Sequence, residues 1–205
     1  ETATIAISGV SGGSASESGS QSVTITITDD DSAPTVTLAA SSTSIAENSS
    51  STITLTATLS NATYQDVTVS IGTSGTATEG TDYGNISDIT ISAGSTTGTV
   101  NFTPTDDSVY EGNETATIAI SSVSGGDASE NGDQSVTVTI TENESAPTVT
   151  LSVSATSIAE NAGTSITVTA TLSGATDEAV TVALSTSGTA TEGTDYTDGS
   201  GNVDD

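Results

Sequence analysis

The sequence predicts an all-β protein built from tandem β-sandwiches. Apolar residues alternate with threonines in several segments, as in Ile53, Leu55, Ala57 and Leu59, and this period of two is typical of half-buried strands. No window of comparable length has the apolar spacing of a helix. Two further observations support the prediction: the sequence repeats at a fixed offset, and turn-rich stretches separate the strand-like segments.

The repeat is long and its offset is constant. Residues 73–83 recur unchanged at 186–196, an offset of 113 positions. We therefore predict three parts and expect the chain to belong to a longer array. The parts are the C-terminal part of a preceding repeat at 1–33, a complete repeat at 34–146, and the N-terminal part of a following repeat at 147–205.

The complete repeat has the strand count of an immunoglobulin-like Greek-key sandwich, which is seven. Phe102 is the only phenylalanine and tryptophan is absent, so Val, Ile, Leu and Ala must fill a thin core. Turns or loops are predicted at 61–63, 72–80, 93–95 and 125–132. Strands are predicted near 35–39, 52–59, 66–71, 86–92, 97–103, 114–122 and 134–141.

Composition excludes most kinds of chemistry. The 205 residues include 27 Asp and Glu but no Lys, Arg, His or Cys, which gives a formal charge of −27. Zinc sites, redox pairs and catalytic triads need Cys or His, and Schiff bases and phosphate clamps need Lys. The negative charge repels nucleic acids and anionic membranes, and no apolar run reaches the roughly 20 residues of a membrane span. We therefore predict cations as partners, with no nucleic-acid binding and no membrane insertion.

The acidic residues are concentrated between predicted strands. Residues 106–114 contain four carboxylates, and Asp29, Asp30 and Asp31 directly follow a strand of the preceding repeat. Loops at one end of a Greek-key sandwich can converge, and carboxylates brought together repel one another and raise each other's pKa. Calcium relieves that repulsion, because it accepts six to eight oxygen ligands in a flexible geometry. Asp66, Asp88 and Asp133, which lie apart from these clusters, are expected on the surface.

The motifs of the complete repeat resemble those of the Calx-beta domain. They are Ile45-Ala46-Glu47-Asn48, then Gly75-Thr76-Ala77 with Gly80 and Asp82-Tyr83, then Asp106-Asp107 with Val109-Tyr110-Glu111 and Glu114, and a closing acidic triplet. That family includes the calcium-sensing domains of sodium/calcium exchangers and domains of very large bacterial surface proteins. The resemblance covers the whole repeat and implies an immunoglobulin-like fold that binds Ca²⁺.

The resemblance also implies the calcium ligands. In the complete repeat they are the Val109 carbonyl and the side chains of Glu47, Asp82, Asp106, Asp107, Glu111 and Glu114. Glu142, Asn143 and Glu144 take the place of the family's aspartate triplet, but one carboxylate is lost and two are lengthened, which weighs against a full multi-ion cluster. Glu1, Asp29, Asp30 and Asp31 belong to the site of the preceding repeat, and Glu160 and Asp195 to that of the following one.

These features predict a structural protein and not an enzyme. Near-identical units with a Ser/Thr-rich surface suit a calcium-stiffened extender in a secreted or cell-surface bacterial adhesin or fibre. Its partners would be calcium ions and neighbouring repeats of the same chain or of identical chains in a fibre. One alternative is a calcium sensor that regulates an attached domain, and another is a filament in which partial repeats complete each other by strand addition. A glycosidase-like carboxylate pair is disfavoured because the chain lacks tryptophan for sugar stacking.

Overall fold

The computed structural model describes residues 1–197 and 199, and every regular element in them is a β-strand. The all-β prediction is therefore confirmed. The chain forms two units, Glu1–Ala33 and Pro34–Asp205. Residues 198 and 200–205, the last ones of the predicted N-terminal part of the following repeat, lie outside the described residues. Within the described part there is no helix with the length and apolarity needed to cross a membrane.

The first unit is a hairpin. Strand β1 (Thr2–Ala6) pairs antiparallel with β2 (Ser22–Thr26), and Thr2 lies opposite Thr26. Both faces of the hairpin are exposed, including Ile5 and Val23. The hairpin therefore has the predicted alternation of apolar residues and threonines, but it buries no core of its own.

The second unit contains a sandwich of two sheets. The first sheet consists, in spatial order, of β11 (Ser129–Glu130), β3 (Thr35–Ala40), β5 (Ile53–Leu59) and β8 (Thr97–Phe102). The second consists of β4 (Ser44–Ala46), β12 (Ser135–Thr141), β10 (Glu114–Ser124), β6 (Val67–Gly75) and β7 (Ile89–Ile91). A short strand, β9 (Val109–Tyr110), lies in the connection between β8 and β10. All seven predicted strands are present, while β4, β9 and β11 were not predicted.

Two predicted loops are wrong in part, because 125–132 contains the short strand β11 and 72–80 overlaps β6. Residues 72–80 were expected to form a turn, but β6 continues to Gly75, which pairs with Ala116 of β10. Gly75 has φ of +135°, and a Cβ atom there would lie 2.0 Å from the backbone oxygen of Thr115. The glycines that indicated a loop therefore permit a close approach of two strands.

The core lies between the two sheets and is mostly aliphatic. Alternate residues of β5 point inward, and the threonines between them face outward. The Phe102 and Tyr83 rings are fully buried and stack with centroids 4.7 Å apart. Because Tyr83 belongs to the loop after β6, this stacking anchors that loop to the end of β8.

Strand register brings four loops to one end of the sandwich. In the second sheet Ala46 pairs with Thr141, and Glu114 pairs with Ile140. The strands β4, β6 and β12 therefore end where β10 begins, and Phe102 at the end of β8 pairs with Ile53 at the start of β5. The loops that follow these four strands carry most of the predicted ligands.

The remainder of the second unit repeats part of the same pattern. Strand β13 (Val149–Val153) pairs with β14 (Val168–Leu172), and Val149 lies opposite Leu172. This register repeats that of β3 and β5, in which Val36 lies opposite Leu59, at an offset of 113 positions. A further short strand, β15 (Ala175–Thr176), pairs parallel with β9. The division into one complete and two partial repeats stays a prediction.

Candidate metal centre

Seven of the predicted ligands form one cluster at the end of the sandwich where the four loops meet. Among the described residues there are three groups in which one carboxylate oxygen of each member lies within 4.8 Å of the others. Glu47 and Glu111 each belong to two groups, so the groups join into a continuous cluster. They are Glu47, Glu142 and Glu144; Glu47, Asp107 and Glu111; and Asp82, Glu111 and Glu114.

Glu47 is the most buried acid of the cluster, with 6% of its surface exposed. The loop after β4 places it there, since its backbone N–H donates to the Thr141 carbonyl at 3.0 Å. Its Oε1 accepts a hydrogen bond from the backbone N–H of Asp107 at 3.4 Å. Burial, together with the charges of Glu142, Glu144 and Asp107, raises the pKa of Glu47 to about 7 despite that hydrogen bond.

Glu142 has the opposite electrostatics, because backbone N–H groups surround its carboxylate. Its Oε2 accepts hydrogen bonds from the N–H groups of Glu111 at 2.6 Å and Gly112 at 2.9 Å. Its Oε1 accepts from the N–H groups of Asn143 and Glu144, both at 2.8 Å. Burial acts to raise the pKa of Glu142, but these bonds outweigh it and lower the pKa to about 2. Glu142 therefore fixes the backbone around Glu111 and keeps a negative charge in the cluster.

Glu144 carries a buried oxygen with no partner. Its Oε2 atom makes no hydrogen bond, whereas Oε1 accepts from the Asn143 side-chain amide at 2.7 Å. The adjacent Glu142 carboxylate, burial and the charge of Asp106 raise the pKa of Glu144. An unsatisfied buried carboxylate oxygen is costly unless a proton or a cation compensates it.

Asp82, Glu111 and Glu114 form the other side of the cluster. Asp82 is held by its loop, because its Oδ2 accepts from the Thr78 N–H at 2.6 Å. Burial is the main cause that raises the pKa of Glu114 to about 7, with contributions from Asp82, Glu111 and Asp177. Burial and the charges of Asp82, Asp107, Asp177 and Glu142 also raise the pKa of Glu111.

Three predicted ligands lie near the cluster but outside the three groups. Asp106 is exposed, although its charge contributes to the raised pKa of Glu144. Asn143 is exposed and donates its amide to Glu144. Val109 lies in β9, and its N–H donates to Asp107 Oδ1 at 2.7 Å. The geometry of the described residues thus separates Asp107, which faces Glu47 and Glu111, from its neighbour Asp106.

The predicted ligands of the flanking repeats do not enter any of these groups. Glu1, Asp29, Asp30 and Asp31 are exposed in the first unit, and Glu160 is exposed in the second. Asp195 has the same local geometry as Asp82, since its Oδ2 accepts from the Thr191 N–H at 2.8 Å. The local loop therefore forms in both copies, while the assembled cluster depends on loops from the whole complete repeat.

Asp177 is an acid near the cluster that sequence reasoning missed. Its N–H approaches the Tyr110 carbonyl at 3.4 Å, one residue before Glu111. At the offset of 113 its counterpart in the complete repeat is Tyr64, so this acid departs from the repeat pattern. This departure from the repeat is the feature of the sequence that could have drawn attention to Asp177. The location of Asp177 follows only from the pairing of β15 with β9.

The donor set of the cluster fits calcium. It consists of carboxylate oxygens, and the chain has no cationic side chain to neutralise them. Oxygens that bind one Ca²⁺ at about 2.3–2.6 Å can be at most about 5 Å apart, and the carboxylate oxygens of each group, which lie within 4.8 Å of one another, are close enough to share an ion. The partnerless Oε2 of Glu144 is a further acceptor available to an ion. Together the fold and the site define an immunoglobulin-like sandwich with a cation-binding cluster between its loops.

Comparison with protein families identifies the family to which this sandwich belongs. The model of the Calx-beta domain matches residues 29–144 and 142–204, most of the chain, and the chain therefore belongs to the Calx-beta family. This confirms the resemblance noted in the sequence. Calx-beta domains are calcium-binding immunoglobulin-like modules with regulatory or structural roles and are not enzymes, which confirms the prediction of a non-enzymatic protein.

Two solved structures from Calx are among those that match this chain. One is described as the apo-form Calx CBD1 domain, with 20% identity and a TM-score of 0.44, covering 55% of this chain and 99% of that one. The other is CBD12 from CALX1.2, with 22% identity and a TM-score of 0.41, covering 48% of this chain and 40% of that one. No curated protein matches the sequence. The family assignment therefore rests on the family model.

Proposed function

We propose that this chain is a calcium-binding structural extender of a secreted or cell-surface bacterial repeat protein, such as an adhesin or fibre, in which calcium rigidifies the units and their junctions. The observation that carries the proposal is the continuous cluster of seven carboxylates in a chain without a cationic side chain. Glu47, Glu142, Glu144, Asp107, Glu111, Asp82 and Glu114 would hold the metal.

Calcium would replace the repulsion among the carboxylates of the cluster by attraction of each carboxylate to the ion. Without an ion, the raised pKa values of Glu47 and Glu114 reflect a carboxylate cluster that is costly to ionise. With an ion, the four loops that supply these groups become cross-linked through shared ligands. Because the loops join both sheets, binding would stiffen the whole end of the sandwich.

The cluster also lies beside the junction with the following repeat. Glu142, Asn143 and Glu144 come directly after β12, and Pro147 begins the next repeat only three residues later. So short a connection has little freedom, and Pro147 restricts it further. Ions bound by Glu142 and Glu144 would therefore fix the direction in which the next repeat leaves.

Near-identical tandem units support an extender, because reach grows with the number of copies while a sensor needs one or two tuned sites. A location outside the cell is part of the proposal, since millimolar calcium there would keep weak sites filled. The charge of −27 suits such a setting only if cations screen it.

Calcium-dependent stability and proteolysis test the proposal. An ion at a hundredfold excess over its Kd adds about 2.7 kcal/mol to the free energy of unfolding, so melting in millimolar calcium should occur many degrees above melting in chelator. A protease that cleaves after acidic residues should cut after Glu144 in chelator and much more slowly in calcium. Cleavage after Asp133, in an exposed loop at the other end of β12, serves as the control. Equal melting temperatures would refute calcium binding, and equal cleavage rates after Glu144 would refute stiffening of the junction.

A further inference from the structure

The following repeat touches the calcium cluster through a short parallel strand pair. Ala175 and Thr176 of β15 pair with Val109 and Tyr110 of β9. The Asp177 N–H then approaches the Tyr110 carbonyl at 3.4 Å. Asp177 and Glu111 directly follow these two strands. Their backbones therefore lie about one strand spacing apart, ~4.8 Å.

Electrostatics agrees with that placement. The charge of Asp177 contributes, after burial, to the raised pKa of both Glu111 and Glu114. These two residues belong to one group with Asp82. Asp177 itself is exposed and belongs to none of the three groups, so calcium binding would draw its carboxylate towards Asp82, Glu111 and Glu114. In the absence of an ion, strand pairing alone would bring together four negative charges, an arrangement that is unfavourable without a cation.

We propose that Asp177 of the following repeat is an additional ligand of the calcium ion held by Asp82, Glu111 and Glu114. This inference rests on the proposed function and deepens it, because one repeat then completes the metal site of the repeat before it. Calcium would thereby strengthen the pairing of β9 with β15, in addition to cross-linking the loops of a single sandwich.

If Asp177 is a ligand, the junctions between repeats in an array differ in calcium affinity. In the complete repeat the position equivalent to Asp177 is Tyr64, and the position equivalent to Glu178 is Gln65. Neither residue can supply a carboxylate to a preceding repeat. A junction whose following repeat carries the acid should therefore hold calcium more tightly than one whose following repeat carries the tyrosine.

The test compares Asp177→Asn with Glu178→Gln in the complete 205-residue chain. The control removes the same charge one residue further along the chain, from Glu178, which is not among the residues whose charges raise the pKa of Glu111 or Glu114. Calcium titration by calorimetry should show binding to at least one site weakened by tenfold or more in D177N and unchanged in E178Q. Calcium should also slow hydrogen exchange of the amides at 174–178 in the unsubstituted chain and in E178Q, but much less in D177N.

Other outcomes separate the two proposals. If the unsubstituted chain binds no calcium, the proposed function fails. If it binds calcium and D177N behaves as E178Q does, only the role of Asp177 is refuted. In chelator D177N should melt at the same or a higher temperature, because a repulsive charge is removed. A lower melting temperature in chelator would show that Asp177 stabilises the fold by itself, and this would also overturn the proposal.

Discussion

The exchange of Glu47 for glutamine should change stability in opposite directions with and without calcium. Glu47 is buried, and the Asp107 N–H and the charges of Glu142 and Glu144 surround its carboxyl. Glutamine has nearly the same shape, and its Oε1 can still accept the hydrogen bond from Asp107. Glu47→Gln therefore removes the charge while leaving the packing in place.

The magnitude follows from the pKa of Glu47, which the fold raises from 4.5 to about 7. The folded state holds the proton more tightly than the unfolded state, so stability falls as pH rises from about 4.5 to 7. A shift of this size corresponds to at most about 3 kcal/mol once the group is fully ionised. In calcium-free buffer at pH 8, Glu47→Gln should therefore melt up to about 12 °C above the unsubstituted chain, at roughly 4 °C per kcal/mol for a unit of this size. At pH 4 the two should melt together, because Glu47 is then protonated.

Calcium should reverse the order. Glu47 belongs to two of the three carboxylate groups, so its loss as an anion weakens most of the cluster. Thermal unfolding followed by circular dichroism at pH 4, 6 and 8, with and without calcium, measures both effects, and Asp133→Asn is the control for a lost surface charge. Equal melting of Glu47→Gln and the unsubstituted chain at pH 8 without calcium would refute the reasoning about burial. An undiminished calcium response would refute Glu47 as a ligand.

Two further substitutions discriminate between neighbouring acids. Glu142→Gln should lower the melting temperature in calcium-free buffer above pH 5, because a side-chain NH₂ would replace one of two oxygens that accept backbone N–H groups. The difference should shrink as the pH falls from 4.5 towards 2, the range in which Glu142 itself is protonated, and a higher melting temperature would contradict the assigned hydrogen bonds. Asp107→Asn should weaken calcium binding by tenfold or more, with a smaller effect of Asp106→Asn and none of Asp133→Asn, since Asp107 alone of the three belongs to a carboxylate group. Calorimetric titration of the three variants measures this, and equal losses for Asp106 and Asp107 would mean that the loop rearranges on binding.

The amino-acid sequence by itself determined the strands and the chemistry of the cluster. Alternation of apolar residues with threonine is a local property, and it sets which face of β5 is buried. The number and type of acidic residues are likewise visible in the sequence, and the lack of a cationic side chain leaves a metal ion as their partner. These predictions needed no contact between distant residues.

Tertiary structure decided what each acid does, because burial and hydrogen-bond donors come from residues far apart in the chain. Glu47 and Glu142 are both glutamates beside a strand end, yet burial raises the pKa of the first and four N–H groups lower that of the second. The N–H partner of Glu47 is 60 positions away, and the Glu111 N–H is 31 positions from Glu142. The position of Asp177 near Glu111 likewise depends on the pairing of β15 with β9. Such contacts depend on strand register and loop convergence, and spacing along the chain does not specify them.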